Sequence, residues 1–181
     1  MNFPPPFAGP DLRSLFALFP PADDMPEYEF VLPDEVPPPY YDLLVHEHHM
    51  TVTVENYHGE PVDVEVLEEI RGREAYARKS LLRLRDSRRV VQFNLMRVHF
   101  RYCGKAVRKE ILAGGTPLGR VLINHNVLRH VMPTAFLRIV PTAAVAAWFG
   151  VSAQCETYGR LALIVCDERP AVEVVEIVAP E

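Results

Sequence analysis

At 181 residues the chain has the length of one domain with a tail, and its 49% hydrophobic fraction is enough to build a core. No run of about 18 uncharged apolar residues occurs, so no transmembrane helix and no membrane partner is expected. Nineteen Lys and Arg against 24 Asp and Glu leave a net charge of −5, which argues against nucleic-acid binding, since that relies on clustered cations.

Cys103, Cys155 and Cys166 form no CxxC pair and leave one thiol unmatched. Free or buried thiols, no Asn-x-Ser/Thr site and no basic-then-apolar N-terminus lead us to expect a cytoplasmic location.

Eleven of the 17 prolines fall in the first 39 residues. Proline lacks a donor and fixes φ, so residues 1–39 are read as an arm that lies over the domain or is partly disordered, with the domain over residues 40–181. Within the arm, Asp11 can cap a short helix with Leu12, Leu15, Phe16 and Phe19 on one side. That side either packs on the core or serves as a lid or dimer contact.

Residues 40–58 carry two competing periods. Met50, Val52 and Val54 alternate as in a strand, while Leu43, Met50, Val54 and Tyr57 recur at helical spacing. Residues 61–70 alternate cleanly, with Val62, Val64 and Val66 on one face. Two further strands are predicted over residues 76–85 and 89–102, giving an antiparallel meander. Arg78 and Arg97 lie inside them. Each faces solvent or is buried against an anion. Arg83, Arg85, Arg88 and Arg89 read as a solvated strand end and turn.

A short helix over residues 106–112 ends at Gly114-Gly115. Thr116 is read as the N-cap and Pro117 as the first residue of a helix running to about residue 125. Residues 127–139 are ambiguous because of Pro133. Residues 142–149 read as a helix, and residues 161–166 and 172–178 as two strands. The pattern is α+β, an antiparallel sheet with helices in the remaining segments.

His46-Glu47-His48-His49 lacks HExxH spacing. His46 and His49, at i and i+3, either share a helix face as part of a metal site or are ordinary hydrogen-bonded histidines. His125 and His130 are weaker candidates for a base. No G-x-S-x-G, G-x-G-x-x-G or Walker loop is present. Glu176 stands in the apolar run Val174-Val175-Glu176-Ile177-Val178, where a carboxylate must be protonated, paired or at an open edge. Buried and protonated, it suits general-acid work.

Three ordered blocks resemble the chorismate lyase family and its less characterised relatives in the chorismate lyase-like superfamily. They are Tyr76-Ala77-Arg78-Lys79, Thr116-Pro117-Leu118-Gly119-Arg120-Val121-Leu122, and Arg169-Pro170 followed by Val174 through Pro180. Met50-Thr51 is similar to a Met-Thr pair at the start of the family's site. The resemblance covers roughly residues 40–180. It implies a six-stranded antiparallel sheet with helices clustered on one face, and a helix at residues 50–57. It also implies cofactor-independent elimination of chorismate to 4-hydroxybenzoate and pyruvate, with no metal. By that resemblance Arg78 pairs with a substrate carboxylate, the Leu118 N–H adds a donor, and Met50 and Thr51 line the site. Glu176 bonds the ring hydroxyl or departing oxygen, and Arg97 is a second carboxylate partner. The alternatives are a non-catalytic module that binds a small ligand, an aromatic carboxylate, related folds serving as small-ligand sensor domains, and a lyase for a related enolpyruvyl acid. A monomer or small homo-oligomer with a small-molecule partner is expected.

Overall fold

Side chains that alternate sides at every second residue build most of this molecule. The computed structural model describes residues 9–20, 25–152 and 154–181. The strands are β1 (Glu27–Val31), β2 (Val62–Arg71), β3 (Ala75–Leu84), β4 (Val90–His99), β5 (Arg129–Val140), β6 (Thr157–Cys166) and β7 (Arg169–Val178). They form one antiparallel sheet in the order β1-β5-β6-β7-β4-β3-β2. This is the expected α+β antiparallel sheet, with seven strands where six were expected and with helices on both faces rather than clustered on one. β1 comes from the arm, from a stretch free of proline, and pairs with β5 through Tyr28↔Ile139 and Phe30↔Leu137.

Local chemistry sets the joints. Asp167 and Glu168 adopt φ of +48° and +61°, the left-handed pair that a two-residue hairpin turn between β6 and β7 requires. Pro133 made the β5 segment hard to read. The β5–β6 register shifts between Pro133 and Ala135, and β1 pairs only with residues 136–140, so the missing donor falls outside the β1 ladder.

Helices cover both faces. On one, α1 (Leu12–Phe16) and α6 (Ala143–Phe149) bring Leu15, Phe16, Val145 and Phe149 onto Phe93, Leu95, Val175 and Ile177. The Asp11 carboxylate accepts from the Ser14 N–H at 2.8 Å and caps α1. Leu12, Leu15, Phe16 and Phe19 are all buried, so this part of the arm packs on the core. The arm reading for residues 1–8 and 21–24 lies outside the described residues.

The reverse face carries α2 (Tyr40–Leu44), α3 (Met50–His58), α4 (Lys105–Ala113) and α5 (Leu118–Asn124). α4 and α5 pack over Met96, Ile164 and Val174, and α2 and α3 over Leu82, Leu84 and Val178. The β-branched run at residues 50–54 is helical despite its alternation. Met50 and Val54, one turn apart, are buried together with Thr51, and packing overrides strand propensity. Gly59 at φ +66° ends the helix. The expected start of α5 is corrected by one residue. Pro117, extended at φ −56° and ψ 140°, is the cap position, Leu118 is the first helical residue, and the Thr116 side chain makes no cap.

Because α1 supplies core side chains, it belongs to the folded unit. Leu15→Ala should lower the unfolding free energy by about 2–5 kcal/mol in urea denaturation. An unchanged midpoint would mean that the helix merely rests on the surface.

Candidate functional site

One cavity of about 40 Å³ lies between the sheet and the α3–α5 cover. Strand period places its floor. Arg78, Ser80 and Leu82 come from β3, Gln92, Asn94 and Met96 from β4, and Val174 and Glu176 from β7. Ser80, Asn94 and Glu176 are in register across the three strands. His49, Met50 and Thr51 line the cavity at the start of α3, and Leu118 and Gly119 at the start of α5. A Cβ on Gly119 would stand 2.9 Å from Thr51 Oγ1 and 3.0 Å from His49 Cβ, so glycine permits this close approach of the two helices.

Arg78, Glu176, Met50, Thr51 and Leu118 are therefore brought together. Arg97 is not. It follows Met96 on β4 and so points to the opposite face, where its guanidinium donates to Glu173 at 2.5 and 2.9 Å. That ion pair, not a ligand, answers its charge.

Arg78 is 3% exposed, and among the described residues its Nε has no hydrogen-bond partner. Burial pushes its pKa below the ordinary arginine value, against opposing pulls from Tyr76 and Glu69. Glu69 is opposite Arg78 in the β2–β3 register, but its oxygens accept from Arg71 Nε at 2.7 Å and from the Tyr76 hydroxyl at 2.9 Å. A guanidinium stays protonated, so the cavity wall carries a desolvated cation with a free donor.

Glu176 has the partner that the sequence reading left undetermined. Arg160, fully buried on β6, donates through Nε to Glu176 Oε2 at 2.7 Å. Its Nη1 donates to the carbonyls of Leu44 and His46 at 3.1 and 2.8 Å, and its Nη2 to that of His48 at 3.1 Å. Glu176 is thus set up as a hydrogen-bond acceptor at the cavity edge. Beside it, Gln92 is 1% exposed. Its Nε2 is committed to Asn94 Oδ1, and its Oε1 is buried without a partner.

The histidine run has no shared helix face. His46 follows α2 and His49 precedes α3. His46 Nε2 donates to the Leu43 carbonyl at 2.8 Å, and its Nδ1 accepts from the His48 N–H at 3.1 Å. His49 Nε2 accepts from Arg129 Nε at 2.7 Å. Among the described residues no three His, Cys, Asp or Glu side chains gather to hold a metal ion. His125 bonds Glu110 at 2.6 Å and His130 stands 3.9 Å from Glu47, neither on the cavity wall. Among the described residues no helix is long and apolar enough to cross a membrane.

Sequence reasoning missed Arg160, Gln92 and Asn94, and it considered His49 only as a metal ligand or hydrogen-bonded histidine, not as part of this cavity. Period two held the signal for the first three. Gln92 and Asn94 interrupt an apolar strand at alternate positions, and Arg160 shares the parity of Ala162 and Ile164. The His49–Arg129 contact spans 80 residues of sequence and leaves no local trace.

No protein-family model matches the sequence, and no curated protein does. Solved structures are similar. PhnF from Mycobacterium smegmatis superposes with a TM-score of 0.56 at 10% identity, over 75% of this chain and 65% of that one. The effector domain of PhnF alone gives 0.54 at 10% identity, over 73% of this chain and 88% of that one. A GntR-family transcriptional regulator from Bacillus cereus is more distant, at 0.46 and 11% identity over 66% of this chain and 92% of that one. At such identities the likeness is one of fold. This chain spans less than two thirds of the length of the first PhnF structure.

Burial, then the Arg129 and Arg160 charges, holds His49 near a pKa of about 4, against 6.5 when free. His46 is likewise lowered to about 4, by burial and then by Arg160. The unfolded chain therefore binds more protons between these values, so stability is full above pH 6.5 and is lost as pH falls toward 4. For His49 the loss should reach about 2 kcal/mol by pH 5. Urea denaturation at pH 7 and pH 5 should show a smaller difference for His49→Gln than for the parent. Equal differences would contradict the buried neutral imidazole.

Proposed function

We propose that this chain is a small-ligand binding domain whose ligand, an aromatic carboxylate, presents its carboxylate to Arg78. The observation that carries this reading is the buried guanidinium with an unused Nε donor on the wall of the cavity. A bidentate or end-on carboxylate is the partner such a fork accepts best. The likeness in fold to a domain described as the effector domain of PhnF supports a binding role. The cavity of about 40 Å³ is smaller than the roughly 150 Å³ space that takes a benzene-sized guest. Binding a ring therefore requires this cavity to widen.

A second reading, elimination of chorismate to 4-hydroxybenzoate and pyruvate, is favoured by Glu176 sharing the cavity with Arg78. By register the two Cα atoms are two strands and two residues apart, about 12 Å. A ring held at one end by Arg78 would then meet the Glu176 acceptor at the other. No metal or redox cofactor enters either reading.

Calorimetric titration with 4-hydroxybenzoate should give saturable binding, and Arg78→Met should weaken it by about 10- to 100-fold. Equal affinity in the variant would contradict the assignment. Incubation with chorismate should yield no pyruvate. Pyruvate release that Arg78→Met abolishes would favour the lyase reading instead.

A further inference from the structure

The cavity has a second unsatisfied group, of opposite demand to the first. Arg78 Nε is a buried donor without a partner, and Gln92 Oε1 is a buried acceptor without one. Leaving such atoms unpaired costs free energy, so each marks a ligand atom of complementary type. Both side chains are on the cavity wall, with Asn94 between them in the register. Their Cα atoms are one strand and four residues apart, about 14 Å.

Charge at the Gln92 end is equally informative. The acceptors there are Gln92 Oε1 and the Glu176 carboxylate. The nearest buried cation, Arg160, does not line the cavity and is committed to Glu176 and three carbonyls. His49 lines the cavity but accepts from Arg129, so it offers no charge at neutral pH. Arg97, the other arginine considered for a carboxylate, belongs to Glu173 on the far face of the sheet. Among the described residues Arg78 is thus the cation on this wall, and a second carboxylate on the ligand would be buried against acceptors and a like charge.

We propose that the site selects a monocarboxylate carrying a neutral hydrogen-bond donor, such as a hydroxyl, with the carboxylate on Arg78 and the donor on Gln92 Oε1, and that it rejects dicarboxylates. This rests on the carboxylate reading of Arg78 given above and adds the second anchor and the charge limit. Gln92 is a specificity-determining residue, with Asn94 fixing which way its amide points.

Three para-substituted probes separate the terms: 4-hydroxybenzoate, benzoate and terephthalate, titrated by calorimetry at neutral pH. 4-Hydroxybenzoate should bind about 3- to 10-fold more tightly than benzoate, the worth of one hydrogen bond. Terephthalate should bind at least about 10-fold more weakly than 4-hydroxybenzoate, because it buries a second charge. Gln92→Leu should erase the preference for the hydroxyl, so that 4-hydroxybenzoate and benzoate bind with equal affinity. Gln92→Met serves the same purpose if the leucine variant does not fold. Terephthalate binding as tightly as 4-hydroxybenzoate would overturn the charge limit, and a hydroxyl preference that survives in both variants would overturn the role of Gln92. If Arg78→Met leaves benzoate affinity unchanged, or if no probe binds the parent protein, the carboxylate reading itself fails and this proposal falls with it.

Discussion

The buried guanidinium of Arg160 ties together the parts that make the site. From β6 it reaches Glu176 on the neighbouring strand and the backbone carbonyls of Leu44, His46 and His48 above the sheet. A charge taken out of water is tolerated only when its donors are met with good geometry, and here a carboxylate and three carbonyls meet them. The consequence is positional. The connection from α2 to α3 is pinned down on the sheet, and Met50 and Thr51 at the start of α3 line the cavity with Arg78, Asn94 and Glu176.

That anchor also decides the electrostatics of the cavity. Arg160 answers Glu176, while Glu69 has its oxygens on Arg71 and Tyr76 and acts on Arg78 mainly through its field. Arg78 therefore remains as a desolvated cation with a donor to spare. Gln92, turned by Asn94, supplies an acceptor with nothing to accept. Structural polar groups in a core are satisfied. Two that are not lie together on one cavity wall. At 10% identity the likeness to the PhnF effector domain is one of fold, and one fold serves many functions.

Much of this was legible in the sequence, for identifiable reasons. Strand β2 announces itself because its sides alternate, β3, β4, β6 and β7 because largely apolar runs stand between turns, and the helix at α1 because Leu12, Leu15, Phe16 and Phe19 recur at its period. Arg78, Glu176, Met50, Thr51 and Leu118 came from short ordered blocks, and all five meet at the cavity. The rest depends on parity and on distant pairing. Arg97 is one residue from Met96, and that single step sends it through the sheet to Glu173. The run at residues 50–54 looked like a strand because β-branched side chains alternate there, but burial of one helical face outweighed that preference. Arg160 was passed over because it opens an apolar strand, where a charge reads as a boundary until the opposing Glu176 is known.

The central claim is that Arg78 Nε–H is the unused donor that takes the ligand. Arginine Nε–H signals in a ¹⁵N-labelled sample report it directly, with Arg78→Lys and Arg160→Lys assigning the two buried ones. During titration with benzoate the Arg78 signal should shift with ligand occupancy while the Arg160 signal, already bonded to Glu176, stays in place. A ligand that saturates the protein and leaves the Arg78 signal unmoved would contradict the account.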